Sequence, residues 1–160
     1  MKSCIITYLG LGTNRGNKKE NLTRAIEELS LALGKCIMQS SFMETEPWGY
    51  ESENKFLNCV VAFETYKSPI ELLETTEKIE RKLGRTTKSA GGIYHDRVID
   101  IDILLYGNET VENERLTIPH PLMHKRDFVL VPLNEIAPDI IHPVIGKSIT
   151  MLLEEQQAIE

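Results

Sequence analysis

The sequence predicts an α+β fold built on a mainly antiparallel sheet, and three observations point there. Two segments of helical period carry their own start and stop signals, four strand-like segments alternate with them, and no repeat or Pro/Gly/Ser linker divides the 160 residues. With 41% hydrophobic residues spread along its length, the chain is large enough for one sizeable core and short for two, so one domain over residues 1–160 is expected.

The first strand runs over residues 3–11, β-branched and apolar up to Gly10-Leu11-Gly12, which reads as a strand-to-helix turn. Thr13 to Asn17 has turn chemistry, after which Leu22, Ala25, Ile26, Leu29 and Leu33 recur at helical spacing and stop at Gly34. Residues 35–45 and 56–65 read as two strands joined by a polar and aromatic loop. Ser68-Pro69-Ile70-Glu71 then opens a second helix with an N-cap serine, proline at the first helical position and a capping-box glutamate. Its stripe is Leu72, Leu73, Thr76, Ile79 and Leu83, and it ends at Gly84. A strand over residues 97–106 completes β-α-β-β-α-β, the ferredoxin-like order. Residues 111–160 are expected to add short strands or turns and a last helix near 148–157 on the other face.

The chain reads as soluble and cytoplasmic: no apolar run approaches a membrane span, and Met1-Lys2-Ser3 leads straight into a strand. Cys4, Cys36 and Cys59 are odd in number, widely spaced and in apolar settings, so they read as reduced packing residues. A net charge of −6 disfavours a nucleic-acid surface. Residues 78–126, however, hold nine of the 18 Lys and Arg against seven of the 24 acids. Such a stretch either draws a small anionic ligand or is a solvated basic face.

Asp100 and Asp102 carry the clearest chemical signal. On a strand, Ile99, Ile101, Ile103 and Leu105 fall on one face while the two carboxylates project from the other, about 7 Å apart at Cα. Unpaired carboxylates resist burial, and Mg2+ would neutralise them while filling its shell with water and substrate phosphates. An exposed sheet face is the alternative. Neither a GxGxxG loop nor a P-loop is present, so phosphates would be held by side chains, with Arg85, Arg97, Arg115, His120 and Arg126 available. The i, i+4 pair His120 and His124 has zinc spacing, but Pro121 disfavours a helix there. Residues 86–96 form either a lid or an ordinary connection.

Three blocks, Arg97-Val-Ile-Asp-Ile-Asp-Ile-Leu-Leu-Tyr-Gly107, Leu116-Thr-Ile-Pro-His120 and Arg126-Asp-Phe-Val-Leu-Val-Pro132, together with Tyr8 to Asn14, resemble the 6-hydroxymethyl-7,8-dihydropterin pyrophosphokinase family. The resemblance implies a three-layer α-β-α sandwich, normally monomeric, that moves pyrophosphate from ATP to the pterin hydroxymethyl group in folate synthesis. It implies two Mg2+ ions on Asp100 and Asp102, with Arg85 and Arg97 clamping phosphates. Glu80, Lys88, Tyr94, Ile103, Arg115, Thr117, His120 and Arg126 would complete the ATP side. Thr45, Glu46, Trp48, Phe56, Asn58 and Phe128 would hold the pterin. Trp48, Phe56 and Tyr94-His95-Asp96 depart from the residues common at those places. A non-catalytic ligand sensor, or another metal-dependent transferase or nuclease, would use the same Asp pair.

Overall fold

The computed structural model describes residues 4–46, 55–84 and 98–159. Strand β1 (Ile5–Thr13) is central: it pairs antiparallel with β4 (Phe56–Thr65) on one side and β5 (Asp100–Tyr106) on the other. Strands β2 (Cys36–Gln39) and β3 (Met43–Thr45) both lie along the far edge of β4, giving the order β2-β4-β1-β5. With α1 (Lys18–Leu33) and α2 (Pro69–Lys82) as the crossovers, this is the expected ferredoxin-like sheet.

Both expected helices form for the reasons their sequences supply. Asn17 caps α1, accepting from the Glu20 N–H, and buries Leu22, Ala25 and Leu29. Ser68 and Glu71 close a reciprocal capping box on α2, worth about 1 kcal/mol. Gly84 follows α2 at φ 123°, a conformation that L side chains rarely adopt, and a Cβ there would also lie 3.1 Å from Val98 Cγ2.

The sheet separates two cores. On one face Leu9, Leu11, Val61, Phe63, Ile101 and Ile103 pack against α1 and α2. On the other, Val60, Leu104 and Leu105 pack against α3 (Asp127–Ile136) and α4 (Ile149–Ile159). A short β6–β7 ladder (Val111–Glu112 with Thr117–Ile118) follows β5, and a 3-10 turn at Met123–Lys125 leads into α3. The result is helix, sheet and helix in three layers.

Five expectations are corrected. Gly10 and Gly12 are not a turn but registered positions inside β1, which extends to Thr13. The segment at 35–45 is two strands, broken where Ser40 leaves the ladder. There Val60 N–H donates to the Ser40 hydroxyl, so a side chain fills the gap in the backbone pattern. Leu105 does not share a face with Ile99, Ile101 and Ile103. The register against β1 jumps from Leu9–Ile103 to Tyr8–Leu105, a β-bulge that turns Leu104 and Leu105 both into the second core. Helix α3 is an unexpected element beside the short strands and turns that do form: Val129, Val131 and Pro132 weaken helix propensity, but burial of Val129, Leu130, Pro132 and Leu133 overrides it. Finally, Cys59 is buried and its thiol is pushed up to about 12 by that burial, whereas Cys4 is on the surface rather than packed.

Candidate functional site

The cleft is built by register. Asn58 on β4, Gly12 on β1 and Asp100 on β5 stand in one cross-strand row, and Val60, Gly10 and Asp102 in the next. Residues in register across a sheet share a face, so both carboxylates lie on the face of α3 and α4. Neighbouring strands are about 4.8 Å apart, which puts Asn58 about 10 Å from Asp100 with only a glycine between them.

Gly12 is required there by close approach. A Cβ on it would lie 2.9 Å from Asn58 Oδ1. Asn58 is buried, and its Nδ2 donates to Thr45 Oγ1 at 2.8 Å and to Met43 O at 3.3 Å, which turns Oδ1 toward the glycine. Phe56, half-buried, is also near, its Cδ1 3.6 Å from the same Cβ position. Gly12→Ala is expected to lower the melting temperature by a few degrees, because the buried Asn58 amide must move and strain its two hydrogen bonds. It should misplace that amide and lower kcat/KM for the acceptor substrate by roughly tenfold to a hundredfold. Steady-state kinetics with each substrate varied in turn checks this.

The β5 bulge aims the next residues. Leu104 O accepts from the His120 N–H at 3.0 Å, and Leu105 O accepts from Thr7 Oγ1 at 2.7 Å, so the irregular carbonyls are satisfied and His120 is pinned beside β5. His120 Nδ1 accepts from the Leu122 N–H, leaving the proton of the neutral ring on Nε2. Burial and then the Arg126 charge push its pKa down to about 4. Unfolded histidine takes a proton near 6.5, so His120 contributes stability above that value and loses it as pH falls toward 4. The stability advantage of wild type over His120→Gln is therefore expected to shrink between pH 6.5 and 4; urea titrations of both proteins at each pH check it.

Arg126 occupies the N-cap position of α3 without a side-chain capping bond, and its Nη1 lies 4.0 Å from Asp102 Oδ2. Its guanidinium carbon is 5.5 Å from the centroid of the Phe128 ring. Burial lowers its pKa, and Asp102 and Asp100 both act to raise it, so the three charges face one another. Glu80, buried on α2, accepts from the Ile101 N–H at 2.9 Å. That bond fixes the peptide between the two aspartates.

Other expected residues fall around this centre with varying fit. Thr117 and His120 share the wall of a groove of about 350 Å³ that continues past His124 and His142. Arg115 is exposed and pairs with Glu77 at 3.3 Å and Glu74 at 3.8 Å on α2. The Ile103 side chain belongs to the first core rather than to the cleft. Glu46 is exposed and pairs with Lys55 at 3.7 Å. Arg85, Lys88, Tyr94, Arg97 and Trp48 lie outside the described residues. Sequence reasoning missed Gly12 as a cleft residue, although its place in register with Asp100 follows from the β1–β5 pairing.

A hard divalent cation suits this donor set. Asp100 and Asp102 supply carboxylate oxygens on the open part of the face, beside the Arg126 charge. Among the described residues no cluster of three or more His, Cys, Asp or Glu side chains forms a closed metal site, so a cation here would complete its shell from water and substrate oxygens.

Paired carboxylates beside an arginine on the open face of a ferredoxin-like sheet fit the class of phosphoryl-transfer enzymes. The model of the 7,8-dihydro-6-hydroxymethylpterin-pyrophosphokinase (HPPK) family matches residues 8–138. The chain is 50% identical over 139 residues to 2-amino-4-hydroxy-6-hydroxymethyldihydropteridine pyrophosphokinase from Porphyromonas gingivalis, covering 86% of this chain and 94% of that one. It is 42% identical over 140 residues to the enzyme of the same name from Haemophilus influenzae, covering 87% and 86%. This chain belongs to the HPPK family. Among solved structures, a triple mutant of HPPK-DHPS from Plasmodium falciparum superposes with a TM-score of 0.80 at 20% identity, a likeness of fold. It covers 96% of this chain, which spans 44% of that chain's length.

Proposed function

We infer that the protein transfers the pyrophosphoryl group of ATP to the hydroxymethyl oxygen of 6-hydroxymethyl-7,8-dihydropterin, with AMP as the leaving product. The observation that carries this reading is the row Asn58–Gly12–Asp100. It sets a heteroaromatic-binding slot about two strand spacings from a carboxylate pair, with no side chain in between.

The pterin lies in the slot between Phe56 and Phe128. Asn58 Oδ1, an acceptor turned inward by the two bonds its Nδ2 donates, reads a donor on the pterin edge. Asp100 and Asp102 would hold two Mg2+ ions, which would supply positive charge to neutralise the triphosphate. Arg126 supplies fixed positive charge beside the transferring group, and neutral His120 offers Nε2–H to a phosphate oxygen. Arg85 and Arg97 clamp the phosphates, with Lys88, Tyr94 and Thr117 on the same side. Asp100, in the row of Asn58, accepts the hydroxyl proton. Among the described residues no helix is long and apolar enough to cross a membrane.

AMP formation from ATP and Mg2+, with and without the pterin, tests the reading. Pterin-dependent AMP is expected; tight ATP or pterin binding without AMP would replace it with a ligand sensor.

A further inference from the structure

In that reading the acceptor lies between two walls on different layers. One is β3 and β4, with Thr45, Phe56 and Asn58; the other is the first turn of α3, with Arg126 and Phe128. Neither wall is covalently close to the other, so the width of the slot depends on where α3 sits along β4.

Besides the apolar packing of Val60 under α3, a two-point polar contact ties the β2–β3 edge to that helix. At the break between β2 and β3, the Ser41 N–H donates to Glu135 Oε2 at 2.8 Å, and the Ser41 hydroxyl donates to Oε1 at 2.6 Å. Both oxygens of one carboxylate are therefore engaged by a single residue. Charge-assisted bonds of this two-point kind fix orientation as well as distance. On the strand side, Ser40 bonds β4 in both directions, its N–H to Val60 O and its hydroxyl from Val60 N–H, so the break is rigidly registered. On the helix side, Glu135 lies seven residues after Phe128, two turns along the same face of α3. Pro132 between them has no N–H to give the Phe128 carbonyl, so the helix itself holds its first turn less firmly than an unbroken ladder would.

We propose that Ser41 and Glu135 form a positioning clamp that sets the distance between the β3–β4 wall and Phe128, and so determines acceptor affinity without touching the acceptor. The proposal rests on the reading of this slot as the pterin site. The clamp bonds neither Asp100 nor Asp102, so its loss acts first on the acceptor, with a smaller effect through Arg126 on the same turn as Phe128.

The test is steady-state kinetics on wild type, Ser41→Ala, Glu135→Ala, the double variant and Ser41→Thr, with ATP and 6-hydroxymethyl-7,8-dihydropterin varied separately. Each alanine variant is expected to raise KM for the pterin about tenfold, with KM for ATP within about twofold and kcat lowered no more than severalfold through the shift of Arg126. The double variant should be no worse than the singles, because both remove one contact. Ser41→Thr, which keeps the N–H and a hydroxyl, should return the pterin KM to near wild type. An unchanged pterin KM in both alanine variants overturns the clamp, as does a rise of both KM values together. Wild type that makes no pterin-dependent AMP overturns the functional reading instead. Thermal melts of every variant separate general unfolding from the expected selective effect.

Discussion

Asp102→Ala is expected to lower kcat by about a thousandfold or more while the protein remains folded. Asp102 lies on the open face, its side chain 44% exposed, opposite a glycine on β1 and 4.0 Å from the Arg126 guanidinium. Its removal leaves no core cavity, and the relieved repulsion between two carboxylates on one strand face offsets part of the lost pairing with Arg126. Stability is therefore expected to fall by no more than about 1–2 kcal/mol while activity collapses. That disproportion is what a functional carboxylate should give, since a structural one would cost stability and activity together when removed. Asp102→Asn separates charge from shape: it keeps the size and should be as inactive as alanine, because the amide cannot neutralise a cation. Turnover by Asp102→Ala within tenfold of wild type at saturating Mg2+ would refute the metal assignment. Circular dichroism and thermal melts of the same preparations supply the stability half of the comparison.

The parts of this protein legible in its sequence are those set by local chemistry. The Ser68–Glu71 capping box and the Leu22, Ala25, Leu29 stripe each depend on residues within a few positions, and both appear as expected. The Asp100–Asp102 alternation was legible for the same reason, because strand period is local. What could not be read is what one element imposes on another. The β5 bulge exists because Leu104 and Leu105 both find the second core while Thr7 and His120 satisfy their carbonyls, residues far apart in sequence. Helix α3 forms against the preference of its valines and proline because the sheet face needs covering. Gly12 matters because Asn58, on another strand, turns its oxygen toward it. Arg115 shows the converse: its charge was legible, but acids on α2 engage it.

Arg126 gives the second large effect, and its Mg2+ dependence distinguishes its role from that of Asp102. Arg126→Met keeps an unbranched apolar stem, so the packing of a side chain only 15% exposed is largely retained while the charge is lost. With no fixed cation beside the transferring phosphate, kcat/KM is expected to fall about a hundredfold. The same guanidinium also occupies part of the field of Asp102 and Asp100, as the upward pull of both aspartates on its pKa indicates. Removing it leaves those carboxylates more attractive to a divalent cation, so the Mg2+ concentration for half-maximal rate should drop severalfold as the rate itself falls. Arg126→Lys should recover less than half of the lost barrier, since an ammonium cannot reproduce the planar, two-point contact. A Mg2+ requirement that rises in Arg126→Met would mean that the arginine serves chiefly to hold the aspartates in place. Unchanged kcat/KM would remove Arg126 from the site altogether, and the charge facing the phosphates would then have to come from elsewhere in the chain.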